Sequence, residues 1–268
     1  MKAQNLTICV PNKGCDKNCP YCVSKMTGYI EYNDYLFEKN LSKVKTLADN
    51  ANITSVLLTG KGEPMMNVGM TGKLAHYFSD YPIELQTNGI KLLQSFNLDV
   101  PFDMLRHVDV IAFSFDRFYL FDDFKDLFHY LDNMGKVIRV TMNVTNALDN
   151  IGLSEYIKKC KDTKVRQFSF RQIVAPNGTP EESPERQWIR GNTDPHHYDD
   201  LAKEIGTTGR EIRTLPFGAV IKDIDGVSVT YFDYCVQDNS SSDDIRSLIY
   251  QEDGHCYTSW GSRASILF

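Results

Sequence analysis

Short apolar segments alternate with longer amphipathic segments along the first two thirds of the chain. After a first strand that begins near residue 5, the apolar segments predict strands over 54–59, 83–86, 108–114, 137–144 and 167–173. The amphipathic segments predict helices that begin at Asn33 and near residue 69, follow Gly89, and cover 122–133 and 153–162. Because strands that alternate with helices form parallel βα units, this pattern indicates an α/β fold.

Six such units predict an open, partial (β/α)6 TIM-like barrel over residues 1–175. The first helix is expected to take Asn33 as its N-cap and to bury one face, formed by Leu36, Leu41, Val44 and Leu47. In the helix over 122–133, the expected core residues are Phe124, Leu127, Phe128 and Leu131. As in closed βα barrels, we expect the active site at the carboxyl ends of the strands.

The pattern changes after Ile173. Residues 176–194 are rich in turn-forming residues and poor in apolar ones, which predicts a loop, either a lid over the barrel mouth or a surface excursion. Residues 195–268 predict a small C-terminal α+β extension, with a helix near 194–205 and an antiparallel cap whose strands lie near 219–221, 227–231 and 247–250. The turns Ile224-Asp225-Gly226 and Glu252-Asp253-Gly254 predict hairpins.

Composition excludes few classes of protein. The 268 residues, 42% of them hydrophobic, are enough for one substantial core. No apolar run of about 18 residues occurs, so we expect no membrane span. The net charge of -6 carries no strong nucleic-acid signal, although a local basic face can occur within an acidic total. Seven cysteines, an odd number, without a secretory leader indicate a reducing, cytoplasmic location.

Three cysteines that lie close together carry the strongest chemical signal. Cys15, Cys19 and Cys22 have the Cys-x3-Cys-x2-Cys spacing of a three-ligand iron–sulfur loop. Three thiolates leave one iron of a 4Fe-4S cluster with an open position for a small molecule, which indicates chemistry rather than electron storage alone. A structural zinc is the alternative, but it needs a fourth ligand, and the first seventy residues contain neither a second cysteine knuckle nor a histidine.

A glycine-rich acidic turn follows the cysteines. The run Leu57-Leu58-Thr59-Gly60-Lys61-Gly62-Glu63-Pro64 is apolar at first and ends in this turn. Together with the cysteines, the third of which follows the aromatic Tyr21, it resembles the two main motifs of the radical S-adenosylmethionine (SAM) superfamily. Lys61 stands where the Gly-Gly-Glu-Pro motif of that family has its first glycine, a departure that leaves Gly62 and Glu63 in place.

Four further segments resemble the family in the same order along the chain. They are Gln86-Thr87-Asn88-Gly89 after strand three, Phe113-Ser114-Phe115-Asp116 after strand four, Val137–Val144 with Asn143 on strand five, and Phe168–Ile173 on strand six. Each match is weak by itself. Their shared order over about 160 residues identifies the chain as a member of the family.

The resemblance implies two cofactors, a 4Fe-4S cluster held by Cys15, Cys19 and Cys22 and SAM, in an oxygen-sensitive enzyme. In this family one electron cleaves SAM to methionine and a 5′-deoxyadenosyl radical, which abstracts hydrogen from a substrate. A flavodoxin or ferredoxin is the implied electron donor. The residues that match the SAM contacts of the family are Gly62 and Glu63 for the methionine ammonium, Ser114 and Thr87 for the methionine carboxylate and nearby ribose, Asn143 for the ribose hydroxyls, and Tyr21 and Ile173 for the adenine.

Two arginines, and two cysteines in the C-terminal segment, are open to more than one interpretation. Arg139 and Arg171 lie on strands that otherwise read as buried, so each either pairs with a carboxylate of the protein or holds the carboxylate of SAM or of a substrate. Cys235 and Cys256 are either buried apolar fillers or supply a reactive thiol near the barrel mouth.

We expect hydrogen abstraction from a small or mid-sized substrate, with a nucleotide or amino-acid derivative favoured. The same chemistry on a macromolecule, by glycyl-radical activation or RNA-base modification, is an alternative, and only a macromolecule predicts a stable partner. A non-catalytic iron–sulfur or zinc-binding protein is an alternative of another class, which leaves the downstream motifs unexplained.

Overall fold

The computed structural model describes residues 2–12, 14–148, 150–215, 218–232 and 244–268. Its strands are β1 (Lys2–Cys9), β2 (Ser55–Thr59), β3 (Ile83–Thr87), β4 (Val110–Phe115), β5 (Val137–Val144), β6 (Gln167–Gln172), β7 (Arg210–Thr214), β8 (Val220–Ile224), β9 (Val227–Phe232), β10 (Asp244–Tyr250) and β11 (Cys256–Tyr257). Its α-helices are α1 (Val23–Thr27), α2 (Asp34–Asn50), α3 (Val68–Tyr77), α4 (Ile90–Asn97), α5 (Leu120–Asp123), α6 (Lys125–Asn133), α7 (Leu153–Asp162), α8 (Pro184–Asn192) and α9 (Pro195–Thr207). Cys235 lies outside the described residues.

The chain divides into two compact units. Unit 1 contains Met1–Asn18, Thr27–Asp109 and Val236–Phe268, and unit 2 contains Cys19–Met26 and Val110–Cys235. In the described part of unit 1 the strand order is β11-β10-β1-β2-β3, with only β11 antiparallel to its neighbour. In that of unit 2 the order is β4-β5-β6-β9-β8-β7, with β4, β5, β6 and β9 parallel and β8 and β7 antiparallel. Parallel strands joined through helices confirm the α/β prediction.

Helix α2 shows how far local patterning predicts packing. Asn33 is its N-cap, as predicted, and its side-chain oxygen accepts the Leu36 N–H at 3.0 Å. The buried residues of α2 are Phe37, Leu41, Val44 and Ala48. The expectation that Leu36 and Leu47 belong to this face is wrong, since both are half-buried. The Phe37 ring stacks on Tyr250 of β10 with centroids 4.7 Å apart, so the stripe that contains Phe37 faces the sheet.

Aromatic side chains fill the core of unit 2. The predicted core residues of the helical segment after β4 are all buried: Phe124, Leu127, Phe128 and Leu131. The Phe113 ring of β4 packs edge-on against Phe128 with centroids 4.8 Å apart, and Phe115 is buried on the same side. Because side chains alternate along a strand, Ser114 points to the opposite face of β4.

Helix α8 lies within the segment that the sequence predicted to be a loop. The Ser183 side chain caps α8 by accepting the Arg186 N–H at 3.3 Å, and Pro184 occupies the first helical position. The proline therefore begins a helix instead of marking a longer loop. Residues 176–183 contain no helix or strand, and a lid role for them stays a prediction. Helix α1, directly after Cys22, was also not predicted.

The C-terminal strands do not form the predicted separate antiparallel cap. The hairpin turn between β8 and β9 is confirmed, with Asp225 and Gly226 at φ values of 52° and 83°. The turn after β10 is confirmed by the antiparallel pairing of β10 with β11. However, β9 pairs parallel with β6, and β10 pairs parallel with β1. Both strands therefore extend a parallel run, β9 in unit 2 and β10 in unit 1.

Helices in the described residues lack the combination of length and apolar character that crossing a membrane requires.

Candidate functional site

Glu63 lies beyond the carboxyl end of β2, in the acidic turn. It is 3% exposed and caps a short 3-10 helix, Pro64–Asn67. Its carboxylate accepts hydrogen bonds from Thr87 Oγ1 at 2.7 Å, the Asn88 N–H at 2.8 Å and the Met65 N–H at 3.0 Å. Burial raises the pKa of Glu63, while these three donors act in the opposite direction. The carboxylate is fixed and has no cation bound to it among the described residues, which suits it to bind an ammonium group.

Gly62 packs against the segment that leads into the cysteine loop. A Cβ atom at this position would overlap Asn12 Oδ1 and the carbonyl oxygen of Gly14. The Glu63 N–H donates to that carbonyl oxygen at 2.9 Å, and Asn12 Oδ1 accepts the Gly14 N–H at 2.8 Å. Only glycine therefore allows the acidic turn to approach the start of the cysteine loop this closely.

Asn88 connects this network to the first cysteine. Besides donating its backbone N–H to Glu63, Asn88 donates its side-chain amide to Asp16 Oδ1 at 2.7 Å and to Cys15 Sγ at 3.7 Å. Sequence reasoning selected Thr87 from the Thr-Asn-Gly turn and missed Asn88. The signal was available, because an asparagine in a turn commonly bonds through both its backbone and its side chain.

Lys61, the departure from the family motif, is 8% exposed. Its Nζ donates to the Gly28 carbonyl at 2.7 Å and to Thr27 Oγ1 at 3.3 Å, at the carboxyl end of α1. Burial lowers the pKa of this ammonium group. Lys61 thus ties the acidic turn to the end of the helix that follows the cysteine loop.

Tyr21 belongs to an apolar cluster in unit 2. Ile173, which the family resemblance places at the adenine together with Tyr21, belongs to the same cluster. Two residues of α8 also belong to it: Ile189 is buried, and the centroid of the Trp188 ring lies 5.1 Å from that of the Tyr21 ring. The Tyr21 hydroxyl donates to Asp116 Oδ2 at 3.0 Å, and burial together with this carboxylate raises the pKa of Tyr21. Sequence reasoning missed Trp188 and Ile189 because it predicted a loop there.

The remaining predicted contacts of unit 2 share one face of its parallel strands. Ser114 stands in register with Thr141, and Asn143 stands in register with Arg171. Arg139 Nε and Nη2 both donate to a side-chain oxygen of the neighbouring strand, Gln167 Oε1, at 2.8 and 2.6 Å. The guanidinium of Arg171 has no partner among the described residues, although its Nε is buried. Arg171 is therefore the better suited of the two arginines to bind an anion.

The loop cysteines differ from the other described cysteines in exposure. Cys15 is exposed and Cys19 and Cys22 are half-exposed. The fully buried cysteines are Cys9, Cys160 and Cys256. Cys256 is fully buried, which confirms its interpretation as a buried filler, and this burial raises the pKa of its thiol.

The chemistry of the loop fits an iron–sulfur cluster. In the described part of the chain, no three histidine, cysteine, aspartate or glutamate side chains are gathered into a group that could hold a metal ion. The loop thiols are nevertheless accessible and lie on a segment without helix or strand. Two N–H donors, from Lys17 at 3.3 Å and Asn88 at 3.7 Å, point at Cys15 Sγ. Such donors stabilise a sulfur that carries negative charge, as a cluster ligand does.

Comparison with known proteins agrees with this site. A family model described as a 4Fe-4S single cluster domain matches residues 6–113. GTP 3',8-cyclase of Clostridium acetobutylicum is 24% identical over 173 residues, which cover 60% of this chain and 53% of the cyclase. This chain therefore spans about half the length of that relative.

The fold resembles solved structures of SuiB from Streptococcus suis. The crystal structure of SuiB bound to S-adenosylmethionine has a TM-score of 0.57 and 12% identity, covering 97% of this chain and 60% of SuiB. Another SuiB crystal structure gives a TM-score of 0.54 at the same identity and coverage. At this identity the likeness concerns the fold. Together with the cysteine motif and the acidic turn that packs against its start, these matches agree with the resemblance of the chain to the radical S-adenosylmethionine superfamily, whose cofactors are a 4Fe-4S cluster and SAM.

Proposed function

We propose that this protein is a radical SAM enzyme that abstracts hydrogen from a small or mid-sized substrate. The observation that carries the proposal is the buried carboxylate of Glu63, held by three donors in a turn that packs on the segment before Cys15. A carboxylate removed from water without a cation is costly, and a bound ammonium group would compensate that cost. The α-ammonium of SAM supplies such a group.

Residues of unit 2 suit the other parts of SAM. The cluster that contains Tyr21 and Ile173 is assigned to the adenine, with Tyr21 acting largely through its backbone, and Asn143 offers an amide for the ribose hydroxyls. Ser114 has a hydroxyl on the same face as Asn143. Thr87 already donates to Glu63, so its role in this proposal is to orient that carboxylate.

The chemistry that the two cofactors supply, when bound, is the reductive cleavage of SAM to methionine and a 5′-deoxyadenosyl radical that removes hydrogen from the substrate. The protein contributes binding, orientation and exclusion of water. Glu63 is positioned to bind and orient the amino-acid end of SAM. The cluster of Tyr21, Ile173, Trp188 and Ile189 offers an apolar surface from which water is largely excluded.

A nucleotide or amino-acid derivative is the substrate class that we favour. The name of the cyclase from Clostridium acetobutylicum specifies a nucleotide, GTP. This name supports a nucleotide substrate, and the support comes from a match that covers part of each chain. A flavodoxin or ferredoxin as electron donor and a cytoplasmic location are further parts of the proposal. They rest on the family's need for a reductant and on the odd number of cysteines.

Anaerobic reconstitution with iron and sulfide tests this function. After addition of dithionite and SAM, mass spectrometry is expected to detect 5′-deoxyadenosine and methionine in equal amounts, and a sample without dithionite serves as the control. Candidate nucleotides and amino-acid derivatives are then added singly, and the substrate is the compound that accelerates cleavage. A protein with a fully assembled cluster that forms neither product with any candidate would contradict the proposal.

A further inference from the structure

A cleft of about 660 Å³ lies within unit 1, and none of the predicted SAM contacts is among its lining residues. One wall comes from the residues before and within the first turn of α2, among them Glu31 and Tyr32. The other wall comes from the chain after β10, among them Tyr257 and Arg263. Small-molecule sites commonly have volumes of roughly 300–1,000 Å³, so this cleft has the size of a ligand site.

Hydrogen bonds and close packing hold the two walls of the cleft together. The Asn33 N–H donates to the Glu252 carbonyl at 3.0 Å, and Asn40 Nδ2 donates to the Gly254 carbonyl at 2.8 Å. A Cβ atom on Gly254 would overlap the backbone of Leu36, so the turn after β10 packs directly on α2. The cleft is therefore formed without a ligand, which lowers the entropic cost of binding.

Two unpaired charges of opposite sign line this cleft. Arg263 and Glu31 are both exposed, and neither has a hydrogen-bond or ion-pair partner in the part of the chain that the structure describes. By contrast, the Asp253 carboxylate already accepts the Tyr257 hydroxyl at 2.7 Å and the His255 N–H at 3.1 Å. The cleft therefore offers one available cation and one available anion.

The other lining side chains favour a ligand with an apolar part. Tyr32 and Tyr257 present aromatic rings, and Ile30, Leu36 and Ile266 present aliphatic ones. Purely anionic ligands such as nucleotides would meet the repulsion of Glu31, whereas a ligand with one charge of each sign can pair with both side chains.

The cleft lies on the side of unit 1 where the reactive motifs are found. It follows the carboxyl end of β10, which runs parallel to β1, and β1 leads into the cysteine loop. Lys61 of the acidic turn bonds to Gly28, two residues before Ile30 of the cleft. Ligands in parallel αβ folds bind beyond the carboxyl ends of the strands.

We propose that this cleft binds a zwitterionic α-amino acid or a small derivative of one. Arg263 pairs with the carboxylate of the ligand, Glu31 pairs with its ammonium group, and Tyr32 and Tyr257 contact its side chain. The identification of this ligand as the substrate rests on the proposed function. Binding of the ligand to the cleft does not, because binding is measured separately from cleavage of SAM.

Anaerobic titration calorimetry of the reconstituted protein tests the cleft. The probes are L-phenylalanine, N-acetyl-L-phenylalanine without the ammonium, L-phenylalaninamide without the carboxylate, and GTP. We expect L-phenylalanine to bind about tenfold more tightly than either blocked form, as expected for loss of one charge-assisted contact. Absence of binding by all probes, equal binding of the three amino-acid probes, or tighter binding of GTP overturns the proposal.

Single substitutions identify the side chains responsible. Arg263→Gln should remove the discrimination between L-phenylalanine and its amide, and Glu31→Gln should remove the discrimination between L-phenylalanine and its N-acetyl form. Arg210→Gln, at an exposed arginine of unit 2, is the matched control and should change neither. Unaltered discrimination in both cleft variants contradicts the assignment.

Comparison with the SAM cleavage assay separates this inference from the proposed function. Cleavage of SAM by a protein that binds none of the probes overturns the cleft and leaves the proposed function standing. Probe binding by a protein with a fully assembled cluster that cleaves no SAM with any candidate substrate supports the cleft and contradicts the proposed function.

Discussion

In unit 1 the acidic turn is held by donors from Thr87, Asn88 and Met65 that all converge on Glu63. In unit 2 the guanidinium of Arg171, at the end of β6, has no partner among the described residues. The difference follows from the two side chains. A short carboxylate that is 3% exposed must be satisfied by the protein itself, whereas a long arginine side chain can keep part of its charged end near water.

This contrast indicates that one proposed ligand site is preformed and that the other is completed by its ligand. In the proposed function, the ammonium site in unit 1 is formed before SAM binds, because the carboxylate of Glu63 is already held by three donors. The proposed anion site in unit 2 would instead be completed by the ligand, because Arg171 Nε is buried without a partner among the described residues. The two sites should therefore respond differently to substitution.

The largest effect is expected from Cys19→Ala. Because two thiolates cannot hold the cluster, the variant should lose the iron–sulfur absorption and all cleavage of SAM. Cys160→Ala, at a buried cysteine of α7, is the control and should retain both. Retained cleavage of SAM in the Cys19 variant would contradict the assignment of Cys19 as a cluster ligand. It would also remove the basis for comparing the two proposed SAM-binding regions.

Glu63→Gln tests the preformed site directly. The iron–sulfur spectrum should remain, while the Kd for SAM should rise by about 100-fold because a buried charge pair is lost. Since burial raises the pKa of Glu63, wild-type affinity should decrease as the pH falls through that raised pKa, and the variant should lack this dependence. Glu38→Gln, at a carboxylate that pairs with Lys73, is the control. An unchanged Kd in the Glu63 variant refutes the role of Glu63.

Gly62→Ala tests whether close packing maintains the preformed site. The added methyl group would overlap Asn12 and Gly14, so we expect unfolding free energy to fall by about 1–3 kcal/mol and SAM affinity by about tenfold. Gly69→Ala in α3 adds a methyl group into open space and should be neutral or stabilising. Equal stability and affinity of the two variants would show that the turn does not depend on this approach.

Arg171→Gln and Arg139→Gln test the ligand-completed site as a pair. The Arg171 variant should bind SAM or substrate about tenfold more weakly with little change in stability, because its guanidinium stabilises nothing in the described protein. The Arg139 variant should lose stability, because Arg139 bonds to Gln167 on the neighbouring strand. Thermal unfolding and SAM titration measure both effects, and the reverse pattern contradicts the distinction between the arginines.

Glu252→Gln gives the smallest expected effect on activity and extends the comparison within unit 1. Burial raises the pKa of Glu252 from 4.5 to about 7, Lys61 opposes this shift, and Asp253 adds to it. A raised pKa means that the folded protein holds the proton more tightly, so wild-type stability should be lost as the pH rises from about 4.5 to about 7. Urea unfolding at pH 5 and pH 8 should show this loss in the wild type and not in the variant. The same pH dependence of the unfolding free energy in the wild type and the variant would contradict the expectation.

Prediction from sequence succeeded where the signal is local. The Asn33 cap depends on one side chain and the N–H three residues later, and the Asp225-Gly226 turn depends on positive φ angles that these residues tolerate. Prediction failed at α8, where Pro184 was read as a turn former although a proline is equally suited to the first position of a helix.

The residues of the candidate site also divide into those that the sequence identified and those that it missed. The order of the motifs along the chain identified Cys15, Gly62, Glu63 and Thr87. It did not predict the hydrogen bonds that connect these residues. Asn88 was missed, although it lies in a recognised motif, because its importance comes from reaching Glu63 and Cys15 at once. Trp188 was missed because its contact with Tyr21 joins segments far apart in sequence.

The sequence by itself determined the succession of βα units up to β6, the cysteine spacing and the resemblance to the superfamily, since periodicity and motif order are properties of the chain. Only the tertiary structure decided that β10 pairs with β1 and that Gln167 binds Arg139 and not Arg171. These outcomes depend on residues distant in sequence that meet across a sheet, where strand register brings together side chains that no local pattern links.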